Sequence, residues 1–475
     1  MSPPEPRSRP QSRTPTVTPG PADPLPLRDH IFRQYDIRGI VGEDLDAGVA
    51  EAVGRAYGTE LRARTGKPSP LVVVGEDNRP SSPVLRGGLA AGLRSSGCDV
   101  ILLNTVPTPV AYFAEHEYAA DGAVQITGSH NPAEYNGIKM TMGGASLHGG
   151  AIQALLRRIR EGHMASGDGA LDEREVLPAY VADVAGRFRL ARPVKAVVDC
   201  GNGTGSVVAV ELLEAVGAEV IPIYCESDGT FPNHHPDPTV DENVQDMIAA
   251  VRAHRADLGI GFDGDADRIG VVDDRGAIIR GDVLLLLFGL DLLKRRGPGE
   301  TLVFDVKCSQ VLPEEFTRAG GVPVMWKTGH SLIKEKMRET GALIAGELSG
   351  HICFADEYFG FDDALYAACR LLEMVAASPE PLSRATAALP AYVSTPELRI
   401  EVPEAEKFDL VERAVAHFSA RHEVVAVDGV RVLFGDGWGL VRASNTQPVI
   451  VARYEAKTAE RLAGIRDVME GWLRG

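Results

Sequence analysis

Three aspartates at alternating positions, Asp263, Asp265 and Asp267, stand directly after the apolar run Leu258 to Phe262 and before Arg268. Carboxylates this close repel one another unless a hard cation or several donors neutralise them, and an all-oxygen set suits Mg²⁺ or Ca²⁺. A solvated acidic turn is the plain alternative. An EF-hand is not, because the position needing the turn glycine is Arg268, the twelfth position is Asp274, and Ile269 to Val272 read as a strand. A second loop, Thr127-Gly128-Ser129-His130-Asn131-Pro132, also ends an apolar run. Such residues form turns for local reasons. A loop rich in backbone N–H groups at a strand end also holds phosphoryl groups, and Ser129 is then a candidate acceptor. The two loops make chemical sense together, since a divalent ion on the carboxylates neutralises charge that develops as a phosphoryl group moves.

Both loops need strands behind them. Three times an apolar, β-branched run breaks into a polar loop and then a helical pattern: Leu71 to Val74 before GEDNRPSS, Lys195 to Val198 before DCGNGTGS, and Thr301 to Phe304 before DVKCSQ. Each is followed by a second run ending in a polar loop: Ala123 to Ile126 before TGSHNP, Leu258 to Phe262 before DGDADR, and Ala342 to Ala345 before GELSGH. Apolar strands alternating with helices predict mixed or parallel sheets covered on both faces, with ligands beyond the carboxyl ends of the strands. The reading is an α/β fold of three similar mixed-sheet domains, residues 30–174, 175–277 and 278–390, facing one central cleft. A C-terminal α+β domain over 391–475 follows, with shorter strands and two amphipathic helices.

Composition narrows the function classes. At 475 residues the chain is too long for one core, and no apolar run approaches the length that spans a bilayer. A net charge of -17 argues against nucleic acid as a partner, because displacing counterions from phosphates needs a basic surface. Positive groups for an anionic ligand must therefore be concentrated locally. Six cysteines with no C-x-x-C pair read as reduced, buried thiols of a cytoplasmic protein. Residues 1–29, with nine prolines, read as a disordered tail without a catalytic group.

Six motifs then fall in order: IFRQYDIRG at 31–39, TGSHNP at 127–132, DGDADR at 263–268, WKTGHS at 326–331, GELSGH at 346–351 and RASNTQP at 442–448. The series resembles the α-D-phosphohexomutase superfamily, most closely its bacterial phosphomannomutase/phosphoglucomutase branch, from about Ile31 to Tyr454. The resemblance implies a fourth domain like the TATA-box-binding protein. It implies that Ser129 is phosphorylated in the resting enzyme and that Mg²⁺ binds to Asp263, Asp265, Asp267 and an oxygen of phosphoserine. The phosphoryl group would pass to a hexose 1- or 6-phosphate, giving a 1,6-bisphosphate that turns around before the other phosphate returns. Glucose or mannose 1,6-bisphosphate would serve as activator. Sugar phosphates would be the only partners, and the chain a monomer or weak dimer.

By the same resemblance, Arg442, Ser444, Asn445 and Thr446 bind the non-reacting phosphate, and Glu347 and Ser349 read sugar hydroxyls distant from carbon 2. Tyr35, Lys307 and His330 are implied substrate contacts. Lys139 is the implied proton carrier with His351 as second candidate, and Arg38, Arg268 and His130 orient groups near the phosphoserine. A lysine base needs a lowered pKa. Two residues depart from the family pattern: Glu76 where a basic residue is common, and Ala266 in place of a glycine, which limits entry of the metal loop into positive φ. A phosphoglucosamine mutase and a metal-dependent sugar phosphatase are the alternatives.

Overall fold

The computed structural model describes residues 25–403, 405–444 and 448–474. One four-stranded arrangement occurs three times. In the first sheet Leu71–Glu76 lies parallel between Asp99–Thr105 and Gly122–Ile126, and Tyr135–Met142 returns antiparallel beside the latter. The second repeats it with Lys195–Asp199 between Glu219–Ile223 and Leu258–Phe262, flanked by Ile269–Asp273. The third has Thr301–Asp305 between Val322–Trp326 and Ile344–Gly346, flanked by Ile352–Phe354. The expectation of three similar mixed sheets is met. Strands such as Gly122–Ile126 and Leu258–Phe262 are buried at every position, which is why their sequences are continuously apolar rather than alternating. Leu171–Glu173 adds an outer parallel strand to the first sheet.

The three sheets share one apolar core, which runs from Val73 and Phe113 through Val198 and Ile260 to Leu285, Phe304 and Leu372. Helices Gly281–Arg296 and Ala364–Ala377 are apolar on most of their circumference because they lie inside it. Asp363 caps the second of these at Tyr366 N–H and accepts the hydroxyls of Tyr180 and Tyr358. Asp363→Ala should therefore cost about 3 kcal/mol, from a lost cap and two stranded hydroxyls. Thermal unfolding checks this, and an unchanged melting temperature would refute it.

The fourth unit is an antiparallel sheet built from Val393–Ser394, Leu398–Glu401, Glu423–Val425, Val430–Leu433, Gly437–Ala443 and Val449–Ala456. Alternation divides its faces. Val430, Val441, Ile450 and Ala452 join Phe418 and Ile465 of the two helices in a separate core. Arg431, Trp438 and Arg453 belong to the other face, which meets the third unit. There the Arg431 guanidinium donates to the carbonyls of Val306 and Cys308 at 2.8 and 2.7 Å, and Arg453 donates to that of Lys307.

The described residues begin ahead of the expected tail boundary at 29. Leu25 N–H donates to Asp46 at 3.0 Å, and Leu25 and Leu27 pack on the first unit's second core. Residues 1–24 of that segment lie outside the described residues. All six thiols are free, Cys225 being the one that is not fully buried. No helix among the described residues is long and apolar enough to cross a membrane.

Candidate active site

The Ser129 loop is slung between Gly122–Ile126 and Tyr135–Met142 at the carboxyl end of the former. Ser129 has φ 49°, in the left-handed region, and its N–H is satisfied by Thr127 Oγ1 at 2.8 Å. That conformation puts Ser129 Oγ 3.0 Å from Asp263 Oδ2 and 3.2 Å from His130 Nδ1. The acidic loop lies directly beneath. A Cβ on Gly264 would meet the Ser129 carbonyl at 2.3 Å, so a glycine is required where the two loops touch. Ala266 takes φ 56° after all, so the side chain does not keep this loop out of the left-handed region. The strain, about 1 kcal/mol, is borne by a residue sealed in the core.

Asp263, Asp265 and Asp267 are fully buried, with carboxylate oxygens within 4.8 Å of one another. Among the described residues, no donor meets hydrogen-bond geometry at Asp265 Oδ1 or Asp267 Oδ1, His351 Nε2 standing 3.5 Å from the latter. Burial and the Asp267 charge push Asp263 up to about 7, against the pull of Arg268. Three buried carboxylates crowded within 4.8 Å, two of them with an oxygen left open, suit a hard divalent cation, so the residues fit Mg²⁺.

Cations ring this cluster. Lys139 Nζ lies 2.7 Å from Asp265 and also bonds Asp267. Burial would lower its pKa, but those carboxylates outweigh burial and hold it well above the ordinary lysine value. That is opposite to the shift a lysine base needs; in this arrangement Lys139 is a cation. Arg268 bonds Asp263 at 3.0 Å and reaches Asp237 at 3.4 Å. Arg38 bonds Asn131 at 2.9 Å and pairs with Asp36. Burial and Arg268 hold His130 well below the ordinary histidine range, leaving it neutral beside Ser129. Burial also works against a charged His351, yet Asp267 and Glu347 raise it to about 10. His351 is thus a charged imidazolium, with Nε2 3.5 Å from Asp267.

A cleft of about 900 Å³ collects Tyr35, Arg38, Ser129, His130, Lys139, Arg268, Lys307, His330, Glu347, Ser349, His351, Arg442 and Ser444 from all four units. Glu347 accepts Gly329 N–H at 2.6 Å, and Ser349 Oγ is 2.8 Å from His351 Nδ1. Tyr35 donates its hydroxyl to the Thr328 carbonyl at 2.7 Å, tying the first unit to the third. Asn445 and Thr446 lie outside the described residues. Glu76 faces Arg86 at 3.0 Å rather than the cleft.

Sequence reasoning missed the residues that brace these. Asp428 accepts Arg442 Nε at 2.9 Å and Thr328 N–H at 3.0 Å, so one carboxylate joins the fourth unit's arginine to the WKTGHS loop. Asp362 holds both His330 and Lys334 at 2.6 Å. Glu397 pairs with Lys307 at 2.7 Å. The one local sign was Asp428-Gly429, a turn pair whose glycine has φ 73°.

Four consecutive family descriptions match this chain: phosphoglucomutase/phosphomannomutase alpha/beta/alpha domain I at 29–165, domain II at 178–276, domain III at 280–392, and the C-terminal domain at 397–471. A phosphomannomutase/phosphoglucomutase of Pseudomonas aeruginosa is 48% identical over 445 residues, 94% of this chain and 95% of that one. A phosphoglucomutase of Neisseria gonorrhoeae is 44% identical, over 92% and 95% of the two chains. The crystal structure of a phosphoglucomutase/phosphomannomutase family protein from Burkholderia thailandensis superposes with TM-score 0.88 at 46% identity, covering 94% of this chain and 98% of that one. With all four domain types matched in order and nearly half the residues shared over the full fold, the chain belongs to the phosphoglucomutase/phosphomannomutase family.

Proposed function

We propose that this protein interconverts the 1- and 6-phosphates of hexoses, mannose and glucose among them, with Ser129 as the phosphoryl carrier. Its phosphoryl group passes to the free hydroxyl of the bound monophosphate: the bond from phosphorus to Ser129 Oγ breaks, and one to the sugar oxygen forms. The resulting 1,6-bisphosphate reorients and returns its other phosphoryl group to Ser129. Glucose or mannose 1,6-bisphosphate primes an unphosphorylated chain by the same transfer.

One observation carries this reading. The same cleft holds Ser129 over the buried carboxylates and, from the opposite unit, an arginine whose Nε is braced by Asp428. A sugar phosphatase needs only the first. Bracing Nε leaves the two terminal amino groups of Arg442 to grip the phosphate that is not reacting. Glu347 and Ser349 take the sugar hydroxyls, in either pose, and His330, Lys307 and Tyr35 complete the substrate's surroundings. Lys139 and His351 are the proton carriers: as the bond from phosphorus to Ser129 Oγ breaks, one of them donates a proton to that oxygen, and the proton released by the attacking sugar hydroxyl restores it. Arg38, Arg268 and His130 fix the phosphoserine. Asp263, Asp265 and Asp267 hold Mg²⁺, which supplies charge neutralisation for the moving phosphoryl group.

Phosphorus NMR of the protein with Mg²⁺, mannose 1-phosphate and a trace of glucose 1,6-bisphosphate should show the 6-phosphate grow in. Release of inorganic phosphate alone would mean a phosphatase, and faster turnover of glucosamine 1-phosphate than of mannose or glucose 1-phosphate would overturn the substrate assignment. Arg442→Met should lower kcat/KM by about 100-fold, the usual cost of losing a charge-assisted phosphate grip. Kinetics within threefold of the parent would remove the distal phosphate site.

A further inference from the structure

The GEDNRPSS loop carries a buried cation that the functional assignment above leaves unused. Arg79 has 1% of its surface exposed, and its guanidinium spends every N–H on a partner. Nε donates to Asp77 at 2.9 Å. Nη2 donates to the carbonyls of Ser129 and Asn131 at 2.7 and 2.6 Å, and Nη1 to those of Pro132 and Tyr135 at 2.6 and 3.2 Å. Three of the five donors therefore hold the loop that bears the proposed phosphoryl carrier, and a fourth holds Tyr135, the first residue of the strand that follows it. Asp77 completes the grip by accepting Gly128 N–H at 3.0 Å, so this one ion pair holds backbone groups before and after Ser129: the Gly128 N–H on one side, the Ser129 and Asn131 carbonyls on the other.

We propose that Arg79, oriented by Asp77, is a positioning residue that holds the Ser129 loop in the conformation from which Ser129 Oγ faces the acidic cluster. Three features point to this rather than to general support of the fold. Ser129 is a non-glycine residue in the left-handed region, a state that persists only where surrounding bonds over-determine it. Gly128 lets the guanidinium lie directly under the loop, since a Cβ there would stand 2.5 Å from Arg79 Cζ. A buried arginine is also a poor choice for stability alone, because apolar residues of similar volume serve that end as well or better. What it offers is a planar fork of fixed donors, which a lysine cannot match. The second unit closes over it, with the Phe231 ring centroid 5.0 Å from the guanidinium.

The proposal rests on the mutase reading, so its test separates the two. In the full chain, Arg79→Lys should lower kcat by about 100-fold, the scale set by misplacing a reacting group by roughly an ångström. KM and the directly measured affinity for glucose 1-phosphate should stay within threefold, because Arg442 and the sugar loop are untouched. Amides of 128–135 should exchange faster with solvent, while those of the other strand-end loops keep their protection. Asp77→Asn, which keeps an acceptor but loses the charge, should give an intermediate loss of kcat, and it carries the test if Arg79→Lys does not fold. Near-parental kcat in the folded variants overturns the clamp and leaves the mutase reading intact. Loss of kcat and affinity together, with exchange raised throughout, assigns Arg79 to the fold instead. A parent chain that converts no hexose phosphate overturns the reading beneath.

Discussion

Ser129→Ala should abolish interconversion, by on the order of 10⁴-fold or more, as removal of a covalent carrier does in enzymes that work through one. Every other group in the cleft stays in place, so hexose monophosphate should bind the variant within a fewfold of the parent by calorimetry. The variant should also fold normally, because its hydroxyl bonds only Asp263 and His130, and both keep other neighbours. Mass spectrometry adds an independent check. A phosphate on the peptide holding Ser129 should appear after incubation with glucose 1,6-bisphosphate and be absent from the variant. Turnover within tenfold of the parent would remove Ser129 from the reaction.

Removal of the divalent ion should be as severe. Chelation should silence the protein, and Mg²⁺ should restore it. The acidic cluster also gives a readout free of turnover. A ligand present at 100 times its Kd stabilises the folded state by about 2.7 kcal/mol, so saturating Mg²⁺ should raise the melting temperature by a few degrees. In Asp265→Asn, which keeps its bonds to Thr108 and Lys139 within reach, that rise should shrink or vanish. An equal rise in parent and variant would place the ion elsewhere.

Much of this was legible in the sequence, and the parts that were not share a cause. Apolar runs gave the central strands because buried parallel strands need no alternation, and the polar loops after them gave the cleft because strand ends converge there. Asp263, Asp265 and Asp267 stood out because three adjacent carboxylates demand compensation. Asp428, Asp362 and Glu397 did not, because each is an ordinary acidic residue until the fold carries it next to Arg442, His330 or Lys307 from 14, 32 and 90 positions away. Lys139 shows the same limit in its charge. Its identity suggested a base, while its two carboxylate neighbours, 126 and 128 residues distant, hold it protonated. Ala266 erred the other way, since a local preference against positive φ yielded to packing.

The common core under the first three sheets has a corollary for how members of such a family diverge. Ser129, the acidic cluster and the Glu347 loop stand on one block, so their mutual spacing is set by a single core. The fourth unit keeps its own core and meets the block through Val306, Trp438 and Leu440 and a set of polar bonds. It is the modular part: exchanging residues 391–475 between relatives cuts little apolar contact, provided that Asp428 travels with Arg442 and still meets Thr328 N–H of the block.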